Sequence, residues 1–162
     1  MPTYTKIASS TLSSIASTIT FSSVSGYTDL VILFQYRGEE AANVYLRFNG
    51  DTGNNYAGSM FSGDSSAANG SVSTSANAIA TITWTGASAN LEWVHGIINI
   101  NNYSSSSMWK PVISRVGTAY KETTIGGGVW KSTSPITSIE LRSGGPNWSV
   151  GSTFTLYGIL AS

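Results

Sequence analysis

Apolar and polar side chains alternate through most of this chain. In Asn43-Val44-Tyr45-Leu46-Arg47-Phe48, the residues Val44, Leu46 and Phe48 share one face and Tyr45 and Arg47 the other, the period of two expected of a half-buried strand. Ala80-Thr81-Ile82-Thr83-Trp84 and Thr153-Phe154-Thr155-Leu156-Tyr157 repeat the pattern with threonine outside. Threonine is β-branched, so it suits a pleated surface and works against a helix. Two segments, Asp29–Tyr36 and Leu91–Ile100, are apolar on both faces. They read as central strands, either covered on each side or meeting a partner on the outer one. Turn signals at Gly26, Gly38, Asn49-Gly50-Asp51, Asn69-Gly70, Gly86, Gly117, Gly126-Gly127-Gly128 and Gly144-Gly145-Pro146 separate the runs.

This pattern predicts strands at roughly 18–22, 28–36, 43–49, 56–61, 78–85, 91–101, 109–116, 118–130, 136–142 and 152–160. Many short strands between glycine-rich turns give an all-β fold: a single-domain antiparallel β-sandwich spanning 1–162, jelly-roll-like, with about eight to ten strands. The one helix-like spacing, Leu12, Ile15 and Ile19, stands in a background of serine and threonine. Ser62–Asn77 is low in complexity and reads as a long loop, mobile or in contact with something, and Asn101–Ser107 as a shorter one.

Composition narrows the function. Charged residues are only 10% of the 162, with 8 Lys+Arg against 8 Asp+Glu, so the expectation is no nucleic-acid and no membrane-surface partner. The longest strongly apolar run, Leu30–Phe34, is far short of the roughly 20 residues of a spanning helix. Met1–Ser17 has one lysine and no apolar block of signal-peptide length, which points to synthesis in a cytoplasm without export. With no cysteine and one histidine, thiol nucleophiles, disulfides, thiolate zinc sites and multi-histidine metal centres are excluded within one chain. Near-zero net charge suits a protein that ends up packed in an assembly.

Candidate chemistry is sparse. Asp51-Thr52-Gly53 matches the triplet of aspartic proteases, which need two such carboxylates together. Between Phe48-Asn49-Gly50 and Asn54-Asn55 it reads instead as a polar hairpin turn, with an irregular calcium loop over 49–55 as the rival. His95 lies in an apolar strand, with no nucleophile elbow anywhere in the chain, and reads as a structural or interface histidine. The acids Asp29, Glu39, Glu40, Asp51, Asp64, Glu92, Glu122 and Glu140 show no spacing that selects a glycosidase pair. Gly126-Gly127-Gly128 lacks the Lys-Ser/Thr of a phosphate loop and reads as a bulge or a close backbone approach. No residue is therefore assigned a catalytic, cofactor-binding or metal-binding role. Of the tryptophans Trp84, Trp93, Trp109, Trp130 and Trp148, some must be core. Trp109 and Trp148 follow loop sequences, and exposed there they could stack on a sugar or anchor an interface.

Several segments, taken in order, resemble small structural proteins of tailed bacteriophages. They are Tyr4-Thr5-Lys6-Ile7 with Ile19-Thr20-Phe21, then Tyr27-Thr28-Asp29-Leu30, then Leu46-Arg47-Phe48-Asn49-Gly50-Asp51 with Asn55-Tyr56. Trp130-Lys131-Ser132-Thr133 before Ile136-Thr137-Ser138-Ile139, and Gly151-Ser152-Thr153 with Leu156-Tyr157-Gly158-Ile159, complete the set. The likeness covers most of the chain and departs most at Ser62–Asn77 and Leu91–Ser107. It implies a virion protein and not an enzyme, made in the host bacterial cytoplasm. The leading expectation is a capsid decoration (cement) protein that binds the major capsid protein and its own copies, as a homodimer or homotrimer. The alternatives are a tail or fibre component that binds a surface glycan, and a non-viral carbohydrate-binding module.

Overall fold

The computed structural model describes residues 3–38, 44–63, 67–82, 93–118, 122–145 and 147–160. Among these there are twelve strands and no helix: β1 Thr3–Thr11, β2 Thr18–Ser22, β3 Asp29–Tyr36, β4 Val44–Phe48, β5 Tyr56–Gly63, β6 Ala68–Ala76, β7 Ile79–Ile82, β8 Val94–Ile100, β9 Lys110–Thr118, β10 Thr123–Trp130, β11 Ser138–Ser143 and β12 Thr153–Leu160. They form an eight-stranded sheet, in the order β1-β12-β3-β8-β9-β10-β5-β6, and a four-stranded sheet, β2-β11-β4-β7. Every pairing is antiparallel.

The order resolves into a nested plan. β1 pairs with β12, β2 with β11, β3 with β8 and β4 with β7. With the other four strands set aside, the sheets are β1-β12-β3-β8 and β2-β11-β4-β7, the arrangement of a long antiparallel ribbon rolled into a jelly roll. The remaining strands are two insertions, β5-β6 between β4 and β7 and β9-β10 between β8 and β11. They pair with each other and lengthen one sheet beyond β8. The expected sandwich and its jelly-roll character are thus present, with more strands than eight to ten.

The alternating residues decide which face is dry. In β9 the inward positions Lys110, Val112, Ser114 and Val116 are buried and the positions between them are exposed. In β11, Ile139 and Leu141 point inward and Glu140 and Arg142 outward, half-buried. The inward sets of both sheets merge into one apolar cluster. Two aromatic groups anchor it. Phe48, Tyr56 and Trp130 meet at one place, with Tyr56 and Trp130 stacked at 6.4 Å. Phe34, Tyr36, Trp148 and Phe154 meet at another, where Trp148 and Phe154 are 4.6 Å apart. Burial of such rings contributes roughly 25 cal/mol for each Å² of apolar surface removed from water.

Several expectations need correction. The Leu12, Ile15, Ile19 spacing is not helical: Leu12 and Ile19 are buried, Ile15 is exposed, and β2 begins at Thr18. Residues 68–76 within the expected loop at Ser62–Asn77 form β6. β3 and β8 are central, as expected; on the outer face of their sheet Val31 is buried while Leu33 and His95 are exposed. Trp84 and the end of the expected 78–85 strand lie outside the described residues.

Candidate interaction surface

The outer face of the eight-stranded sheet is the main uncommitted surface. Cross-strand register places Thr155, Leu33, Ile97, Arg115, Ile125, Phe61 and Gly70 in one row across seven strands. A second row carries Tyr157, Val31, Asn99, Ile113, Gly127, Ser59 and Val72. Because side chains two apart along a strand share a face, the two rows are neighbours. They present Leu33, Ile113, Ile125, Phe61 and Val72 to solvent, with Phe61 66% and Val72 75% exposed. A shallow depression between β8, β9 and β10 is lined by His95, Ile97, Arg115, Thr123 and Ile125. Arg115 stands between Ile97 and Ile125 in its row. An exposed apolar area of this continuity marks a contact surface more often than scattered single residues do.

His95 is on this face, exposed, paired across the ladder with Gln35 and Gly117. It sits at the rim of the depression and not in the core. Trp109 is 54% exposed beside exposed Met108, just before β9. Their loop is braced by the Ser105 hydroxyl, which accepts from the backbone N–H groups of Ser107 and Met108. Behind it, the buried Lys110 ammonium donates to the Met108 carbonyl at 2.6 Å and reaches the Ser132 carbonyl at 3.4 Å. Burial draws the Lys110 pKa below its ordinary value. Trp148 is fully buried, its ring tilted against those of Tyr36 and Phe154, so the expectation that it stacks on a sugar does not hold.

The segment 49–55 joins β4 in one sheet to β5 in the other. It is a turn, but a corner between sheets and not a hairpin. Asn49 and Gly50 take left-handed φ values of 53° and 69°, which these two residue types accept at least cost. The Asn49 side-chain carbonyl accepts from the N–H groups of Thr137 and Ser138, and its amide donates to the Pro135 carbonyl. The Asp51 carboxylate accepts from Gly53 N–H at 2.8 Å, from the Asn55 amide at 3.0 Å and from the Trp130 indole N–H at 2.7 Å. Burial alone would raise the Asp51 pKa. The Trp130, Asn55 and Gly53 donors outweigh it and hold the group below its ordinary value. Tyr56 completes the corner: its hydroxyl accepts from Phe48 N–H at 3.0 Å and donates to the Asp51 carbonyl at 3.1 Å. Both carboxylate oxygens are engaged by protein donors, so the corner acts as a structural staple, and no second described carboxylate joins Asp51 as the partner a protease dyad needs.

The other described acids are dispersed. Asp29 accepts from Asn102 N–H at 2.7 Å, and Glu140 lies 3.6 Å from Arg47. Among the described residues no group of three His, Cys, Asp or Glu is placed to hold a metal ion. Glu39, Glu40, Asp64 and Glu92 lie outside the described residues. At Gly128 a side chain would overlap Ile79 of the facing sheet, so part of the triple glycine serves the close approach that the sequence suggested. The sequence pointed to an apolar outer face at β3 and β8, but not to its extension over β9, β10, β5 and β6. Its signal was present in Pro111–Val116, where Ile113 is apolar on the face opposite Val112 and Val116. No protein-family model matches the chain, and neither a curated protein nor a solved structure is found to be similar to it.

Proposed function

We propose that this chain is an adhesive structural protein of a tailed-phage virion, a capsid decoration protein that docks on the assembled shell through the outer face of its larger sheet. The observation that carries this reading is the set of exposed apolar side chains, Leu33, Ile113, Ile125, Phe61 and Val72, that the register gathers on one face. Apolar surface left in water is unfavourable, and such a face is covered favourably by a partner with a matching surface. A protein that binds the assembled lattice and not the free subunit stabilises the shell by mass action. With Arg115 the one cation among the described residues lining its depression, contact of this type is weakly dependent on salt. The working location is the virion, the partners are the major capsid protein and further copies of the chain, and no reaction is catalysed.

The test is the copy number of the chain in purified particles, read against the major capsid protein on a stained gel. A ratio of the order of one per few capsid subunits supports decoration. Absence from the particle refutes it. A tail-like number supports the second reading, a fibre component that binds a surface glycan, which rests on exposed Trp109. Quenching of tryptophan emission by a glycan, abolished in Trp109→Ala, separates that reading from the first.

A further inference from the structure

The edges of the larger sheet are unequal. β1, at one end, carries Lys6 and a bulge between Lys6 and Ala8, both devices that discourage further strand pairing. β6, at the other end, is nine residues long, Ala68-Asn69-Gly70-Ser71-Val72-Ser73-Thr74-Ser75-Ala76, with no charge and no proline. Every residue but the last is exposed, and among the described residues its one ladder is with β5. Its irregularity lies toward the end that pairs near Tyr56, so Ala68–Val72 is regularly paired, opposite Gly63–Ser59. Two cations near its far end donate to backbone carbonyls, Lys131 to Thr74 and Arg47 to Asn77.

We propose that β6 pairs antiparallel with β6 of a second copy about a twofold axis, joining the two larger sheets edge to edge. A twofold antiparallel pair sets a strand against itself, so any charge on it would stand near its own image. β6 is electrostatically self-compatible because it has none. An axis perpendicular to the sheet keeps both outer faces on one side. Phe61 and Val72 lie on that face, in adjacent rows of the last two strands. The Phe61 ring lies over Gly70, 3.5 Å from where a side chain would start, and so leans toward the edge. Pairing brings Phe61 and Val72 of both copies into one apolar strip and removes the most exposed large side chains from the end of each sheet. The contact closes on itself, leaving the β1 edges outermost.

This proposal concerns copies of the chain alone and stands apart from shell binding. Sedimentation equilibrium of the full chain, from micromolar to millimolar concentration, should show the mass rising from 17.0 kDa toward twice that. Val72→Lys and, separately, Ser71→Lys should each weaken the dimer at least tenfold, while Thr5→Lys on β1 leaves it unchanged. An unaltered β-type circular-dichroism spectrum shows that each variant is folded. A chain that stays monomeric throughout, that forms trimers, or whose dimer is indifferent to both β6 variants overturns the proposal. Dimerisation without shell binding would leave it intact and count against the decoration reading alone.

Discussion

Replacing Asp51 by alanine tests the corner between the sheets. Three donors lose their acceptor, but they are not equivalent. Gly53 N–H and the Asn55 amide are exposed and turn to water at little cost. The Trp130 indole N–H, 2.7 Å from the carboxylate on a residue 3% exposed, is left buried without a partner. An unpaired buried donor costs about 1–3 kcal/mol, and a hydrogen bond to a charged acceptor sits at the upper end of that range. Asp51→Ala should therefore destabilise the protein by about 2–3 kcal/mol, a fall of about 5–10 °C in melting temperature for a domain of this size. Urea unfolding followed by tryptophan emission gives the free energy directly. The decisive comparison is the same substitution in a Trp130→Phe background, where the donor is already gone. There Asp51→Ala should cost less than about 1 kcal/mol. Equal costs in the two backgrounds would refute the claim that the indole bond is what the carboxylate supplies.

Three further outcomes are expected. Gly158→Ala should destabilise by about 1–3 kcal/mol because a side chain there overlaps the Tyr27 ring, whereas Gly117→Ala, with open space around it, should be near neutral in the same melting assay. The pH profile of stability should fall at both ends: Asp51, with its native pKa depressed, contributes stability that is present above about pH 4 and lost on acidification, and Asp51→Asn should flatten that limb. Tyr56, pushed up to about 12 chiefly by burial, contributes stability that is full below about pH 10 and lost as pH rises, a limb that Tyr56→Phe should flatten. Ile125→Ser, on the exposed outer face, should change stability by less than about 0.5 kcal/mol while weakening binding to shells measured by co-sedimentation.

What the sequence revealed follows what alternation encodes, which is burial on one face. β2, β4 and β12 were legible because Ile19 and Phe21, Val44, Leu46 and Phe48, and Phe154 and Leu156 all point into the core. β1 and β6 were not, because an edge strand that is wet on both faces leaves no period in its apolar residues. Thr3–Thr11 has only Ile7, Ala8 and Ser10 partly buried, and β6 has Ala76 alone. These strands are held by the hydrogen-bonding edges of β12 and β5, which a reading of side chains does not register. The role of Asp51 was hidden for a related reason. Its partner Trp130 is 79 positions away, so the turn was recognisable from Asn49-Gly50 while its attachment to the core was not. Trp148 follows a glycine-proline loop, and so looked exposed, yet its backbone bridges to Ala16 and Gly38 draw it inward.

The nested pairing also governs when the fold can form. Thr3 is matched with Leu160, and the central strand β3 has β12 as one of its two neighbours. During synthesis, neither can be completed until β12 has left the ribosome. The inserted β9-β10 hairpin, whose partners are close in sequence, can close far sooner. Assembly of this fold is thus expected to be slow for its size, with β1 and β3 waiting, exposed, for a partner made long after them.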